Sequence, residues 1–197
     1  MTTCSSGSWR TLPTPCQARN RALRLALIGP RAAGKSTLAP ELAQALGLEC
    51  IDLDASIERT LTEPLGAWIQ RHGWAAFRRL ESEALGRALE HTAAVVACGA
   101  GVVESNDNLA LLTESNSQVL WLDVSVEEQS KRLGNDATRP RLEPHLSFEE
   151  ELQRIDLRRR VLYQQIAGIR VDAQAKPEDV LKRCLAELGA VNVGDRH

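Results

Sequence analysis

An α/β domain, a parallel sheet flanked by helices, is the fold class this sequence predicts, and two observations predict it. From Leu23 onward, short apolar runs alternate with longer segments of helical periodicity, the pattern left by repeated strand–helix–strand units. The chain of 197 residues is long enough to bury one sizeable core and too short for several.

Taken in order, residues 1–22 are rich in Ser, Thr, Pro and Arg, contain no acidic residue and offer no apolar block, so a disordered tail is expected there. An acid-free, arginine-bearing start also has the composition of a transit peptide, but Pro13 and Pro15 interrupt the amphipathic helix that such a peptide needs. Strands are expected at Leu25 to Ile28, Glu49 to Leu53, Ala93 to Ala97, Gln118 to Leu122 and Ile169 to Val171, with helices in the intervals, which makes a five-stranded parallel sheet. Gly134 to His145 holds Gly, Asn, Asp, two prolines and two arginines with few apolar residues, so an exposed, mobile loop is expected. The domain then spans 23–188, with residues 189–197 as a frayed C-terminal tail.

Composition excludes several functions. With 24 basic and 26 acidic residues the net charge is −2, so no overall field draws the chain to nucleic acid or an anionic membrane. No apolar run approaches the roughly 20 residues of a membrane span. Five cysteines (Cys4, Cys16, Cys50, Cys98, Cys184) lack CxxC spacing, and no two histidines sit four apart, so neither a disulfide framework nor a zinc site is expected. A reducing cytoplasm is the simplest compartment.

Gly29-Pro30-Arg31-Ala32-Ala33-Gly34-Lys35-Ser36 fits GxxxxGK[ST] and lies after the first strand and before the helical run Thr37 to Leu46. In that geometry the backbone N–H groups of Ala32, Ala33, Gly34 and Thr37 cradle phosphate, Lys35 neutralises the β and γ oxygens, and Ser36 offers its hydroxyl to Mg²⁺. Ala32 stands where many such loops carry another glycine, which is tolerable at negative φ and costly otherwise. Asp52 and Asp54 lie two residues apart at the end of the second strand, which puts both on one side of the pleat at the edge where α/β ligands bind. Asp54 is alternatively a helix N-cap.

With these residues in place, the chain from Leu23 to Leu188 resembles the shikimate kinase family. The resemblance is carried by the phosphate loop, the pair Asp52 and Asp54, Phe77-Arg78-Arg79-Leu80-Glu81, Gly99-Ala100-Gly101, Arg139-Pro140 and Arg159 four residues before Tyr163. It implies a three-layer P-loop kinase fold with a mobile lid at about 134–147 and a monomeric protein. It also implies phosphorylation of a shikimate hydroxyl by ATP, with Mg²⁺, as a step of aromatic amino acid biosynthesis. By the same resemblance Arg78 and Arg159 bind the substrate carboxylate, a bidentate task that suits guanidinium, and Glu81 holds them in place. Asp54 binds and orients the attacking hydroxyl, Asp52 acts on Mg²⁺ through water, and the Gly99, Ala100 and Gly101 backbone approaches the substrate. Arg139 reaches the transferring phosphate and Arg132 lies against the adenine.

Three positions depart from the family pattern: Ala100 replaces the middle glycine of three, Trp74 an acidic residue, and Ile69 a pocket aromatic. They keep two other readings open. One is a kinase of another hydroxy acid such as gluconate, and the other is a kinase-like domain that binds without turnover. Trp68, Trp74 and Phe77 are expected chiefly in the core.

Overall fold

The structure, a computed structural model, describes residues 23–134 and 139–194, the last five by backbone alone. The expected tail at 1–22 and part of the expected loop, residues 135–138, lie outside the described residues.

The elements follow the predicted alternation: β1 (Arg24–Ile28), α1 (Lys35–Leu46), β2 (Glu49–Asp52), α2 (Leu53–Glu58), α3 (Leu65–His72), α4 (Trp74–Glu90), β3 (Ala94–Ala97), a single 3-10 turn (Val102–Glu104), α5 (Asn106–Glu114), β4 (Gln118–Asp123), α6 (Val126–Leu133), α7 (Phe148–Ile166), β5 (Ile169–Asp172) and α8 (Pro177–Gly194). The five strands are all parallel in the order β2-β3-β1-β4-β5. β1 lies at the centre, with β3 and β2 on one side and β4 and β5 on the other, and the crevice at its carboxyl end is where α/β sheets of this kind hold ligands.

The central strand shows why the molecule has three layers. Leu25 and Leu27 point into one apolar cluster with Leu38 and Leu42 of α1 and Val180, Cys184 and Leu188 of α8. Ala26 and Ile28 point the opposite way, into a second cluster with Phe77 and Leu85 of α4, Trp121 of β4 and Tyr163 of α7. A strand with period two buried on both faces needs helices above and below it.

Two boundaries differ from expectation. Leu53 is already helical, so β2 ends at Asp52. The terminal helix α8 continues to Gly194, past the Leu188 at which the sequence places the end of the domain. Among the described residues no helix is long and apolar enough to cross a membrane.

Candidate active site

The loop between β1 and α1 wraps the sheet's carboxyl edge. Gly34 caps α1 at φ 90° with no side-chain acceptor, so the free N–H groups of the first turn stay available to an anion. Ala32 has φ 58°, the left-handed region, so the departure from glycine costs about 1 kcal/mol. Lys35 Nζ donates to the carbonyls of Gly29 at 2.7 Å and Pro30 at 2.8 Å. Burial lowers its pKa to about 8 against the opposing pull of the Asp54 carboxylate. Lys35, Ser36, Thr37, Asp52, Asp54 and Arg139 line one cleft of about 340 Å³. It adjoins a second, of about 490 Å³, between the loop residues Ala32 to Gly34, Arg132, and Ala173 to Pro177. Arg132 is fixed over this second cleft: Nη1 donates to Ala32 O at 3.1 Å, Nη2 to Ala173 O at 2.9 Å, and Nε to Glu128 at 2.8 Å.

The two aspartates reach the cleft differently from the expected common pleat. Asp52, the last strand residue, is the N-cap of α2, its Oδ1 accepting from Ala55 N at 3.0 Å. Asp54 sits in the helix's first turn, so the cap role belongs to the other member of the pair. Asp54 forms an ion pair with Arg139, whose guanidinium lies 5.6 Å from the centre of the Phe77 ring.

In the described part of the expected loop, Arg139 to Ser147, several backbone donors have a partner on α7. Glu151 of α7, 5% exposed, accepts from Leu142 N at 2.7 Å, Glu143 N at 3.1 Å and Arg141 Nε. A turn-rich composition signals a loop, and it carries no trace of a carboxylate elsewhere that satisfies the loop's backbone donors.

Beyond Asp54 lies a third, nearly filled pocket, walled by Trp74, Arg78, Ala100, Gly101, Arg139 and Arg159 among others. Arg78 Nη1 donates to Glu81 Oε2 at 2.6 Å, the support the sequence expects from three-residue spacing. Burial raises the Glu81 pKa, and Arg78 pulls it back. Arg78 Nη2 and Arg159 Nη2 both donate to Glu104 Oε2, at 3.1 and 2.7 Å. Those arginines hold Glu104 below the usual carboxylate range despite its partial burial. A Cβ on Gly99 would lie 2.0 Å from Glu81 Oε1, and one on Gly101 2.0 Å from Arg78 Nη2. A side chain at either outer position of the loop would therefore displace Glu81 or Arg78, whereas Ala100 is accommodated, its carbonyl accepting from the Tyr163 hydroxyl.

Four buried polar atoms around this pocket have no partner in the structure: Asp54 Oδ1, Glu81 Oε1, Arg159 Nε and Trp74 Nε1. Buried orphans of this kind are rare and call for a partner that the protein does not itself supply, whether water or ligand. Ile69 is in the core at 1% exposure, so its departure leaves the pocket wall alone. Phe77 is core as expected, but Trp74 is pocket wall.

The structure thus brings together every site residue read from the sequence. It adds Glu104, Arg158, Glu151 and the buried Cys98 beside Lys35, whose thiol pKa burial pushes up to about 12. No local pattern marks Glu104, since its partners lie on α4 and α7. Arg158 and Arg160, on either side of Arg159, read from the sequence only as a charged helix face.

A nucleotide cradle, a guanidinium-lined acceptor pocket and an arginine between them define a P-loop kinase of small molecules. A protein-family model for shikimate kinase matches residues 31–189. A shikimate kinase from Rhodococcus jostii is 34% identical over 82% of this chain and 95% of its own length, and one from Gloeobacter violaceus is 38% identical over 84% and 94%. The solved structure of a shikimate kinase from Acinetobacter baumannii in complex with shikimate superposes with a TM-score of 0.83 at 26% identity, covering 93% of this chain and all of that one. The chain belongs to the shikimate kinase family and is an enzyme.

Proposed function

We propose that this protein transfers the γ-phosphoryl group of ATP to a hydroxyl of shikimate, giving shikimate 3-phosphate and ADP, with the work divided among the residues above. The observation that supports the reading is the junction of two sites at Arg139: Arg78 and Arg159 offer guanidinium donors in the acceptor pocket, and Asp54, in the adjoining phosphate cleft, keeps a carboxylate oxygen without a partner. A ring bearing one carboxylate and several hydroxyls presents the complementary set.

The acceptor hydroxyl donates to Asp54 Oδ1, which orients its oxygen toward the γ-phosphorus and receives its proton as the new P–O bond forms and the bond to the ADP oxygen breaks. Lys35 leaves its two carbonyl partners for the β and γ oxygens. Arg139, already at the seam between cradle and acceptor pocket, supplies positive charge where it accumulates in the transition state. Arg132 and the wall from Ala173 to Pro177 form the seat for the base. The oxygen donors available for a metal are the Ser36 hydroxyl and the Asp52 and Asp54 carboxylates, all lining the phosphate cleft. That hard-oxygen set fits Mg²⁺, which binds through few protein groups, waters and phosphates. Ser36 would hold it directly and Asp52 through water, and when bound it neutralises phosphate charge.

The test is ADP release by purified protein with MgATP and shikimate, gluconate or no acceptor. Turnover should require shikimate, vanish in Lys35→Ala, and fall about 10²- to 10³-fold in kcat in Arg139→Ala with the KM for ATP little changed. Gluconate-dependent turnover without shikimate turnover would reject the acceptor, and full activity in Arg139→Ala would reject the mechanism.

A further inference from the structure

The acceptor arginines have a support that the phosphoryl-transfer reading does not use. Glu104 lies at the end of the 3-10 turn that follows the Gly99-Ala100-Gly101 loop. Its Oε2 takes Arg78 and Arg159, and its Oε1 takes the neighbouring Arg158 through Nε at 3.0 Å and Nη2 at 2.8 Å. Arg78 has a second carboxylate, Glu81. Arg159 does not: its side chain is 4% exposed, its one ion pair among the described residues is with Glu104, and its Nε has no partner. A buried guanidinium held by one carboxylate is free to swing or to withdraw when that carboxylate is lost.

Glu104 itself is not part of the pocket wall, although Arg78 and Arg159 both are. Arg158 is shared, its Nη1 also reaching Glu143 Oε1 at 3.4 Å, so Glu104 is the one carboxylate common to Arg78, Arg158 and Arg159.

We infer that Glu104 is a positioning residue for the acceptor carboxylate: by accepting from both Arg78 and Arg159 it locks the two guanidinium groups into place at the pocket wall. Arg158 clamps Glu104 from the solvent side and so belongs to the same device. The inference rests on shikimate as acceptor.

Steady-state kinetics of the full-length protein with MgATP and shikimate test it, using Glu104→Gln, Glu104→Asp, Arg158→Gln, Arg159→Lys and the Glu104→Gln/Arg159→Lys double variant. Glu104→Gln should raise the KM for shikimate about tenfold, with kcat and the KM for ATP within about twofold of the parent. Glu104→Asp should recover part of the loss, and Arg158→Gln, a change at a half-exposed side chain, should raise the same KM by a smaller factor. In the Arg159→Lys background the Glu104→Gln change should add little, because the residue acts through that guanidinium. An unchanged or lowered KM for shikimate in Glu104→Gln overturns the inference, as does full additivity with Arg159→Lys. If Glu104→Gln does not fold, Arg158→Gln with an unchanged shikimate KM overturns it alone. Parent protein inactive on shikimate rejects the acceptor itself, a result distinct from an active parent with an indifferent Glu104.

Discussion

Lys35 shows how much of the chemistry is set by single side chains. Its ammonium is buried between two carbonyls, and burial brings its pKa from 10.5 to about 8. In the free enzyme kcat/KM for ATP should therefore fall as pH rises through 8, when the amine loses its proton, while the alkaline limb of kcat moves to higher pH because bound phosphates favour the charged form. PH–rate profiles of both constants check this. The sign for folding is opposite: a lysine with a depressed folded-state pKa opposes folding fully below pH 8, and that opposition fades between pH 8 and 10.5. At this scale the sequence was most legible where a motif asks for one particular side chain, and Lys35, Asp54, Arg78, Arg139 and Arg159, singled out in that way, line two adjoining clefts. It was silent on Glu104 and Glu151, whose roles consist of partners distant in the chain, and for Trp74 it favoured core over pocket wall, where the side chain packs against the core cluster and also lines the pocket.

At the scale of elements, strands were legible because burial on both faces leaves continuous apolar runs, and helices because their caps are local. The best-defined start is that of α7, where Ser147 and Glu150 form a reciprocal capping box. Ser147→Ala should cost about 1 kcal/mol of stability, measured by urea unfolding. Since α7 carries both Glu151, which fastens the Arg139 to Ser147 segment, and Arg159, hydrogen exchange in residues 139–146 should rise in the same variant. The junction of β2 and α2 was legible only in part. Asp52-Leu53-Asp54 reads as a strand end by alternation, but Asp52 satisfies the N–H of Ala55 and starts the helix two residues early.

For the whole molecule, the two apolar clusters lie on opposite faces of the sheet, and core residues such as Leu38, Ala97, Cys98 and Val180 also line the clefts at its carboxyl edge. Ligands that bind the folded state alone should stabilise it by mass action. A non-hydrolysable ATP analogue at a hundred times its Kd should add about 2.7 kcal/mol, visible as a raised thermal midpoint that Lys35→Ala largely removes. The fold class and the number of strands follow from patterns written along the chain, whereas the order of the strands does not. How tightly the segment over the acceptor pocket is held does not, because its pinning carboxylate lies on another element.

The contact between Gly101 and Arg78 has a further meaning in genetic terms. With 2.0 Å between a would-be methyl group and the guanidinium, any side chain at 101 evicts the arginine from its seat, so Gly101→Ala should copy the phenotype of an Arg78 lesion: a raised KM for shikimate and intact nucleotide handling. A selection that scores only growth would place two codons, one for a loop glycine and one for a helix arginine, in a single class. A second-site suppressor of the glycine change should then map to the arginine's own surroundings on α4 and not to the phosphate loop.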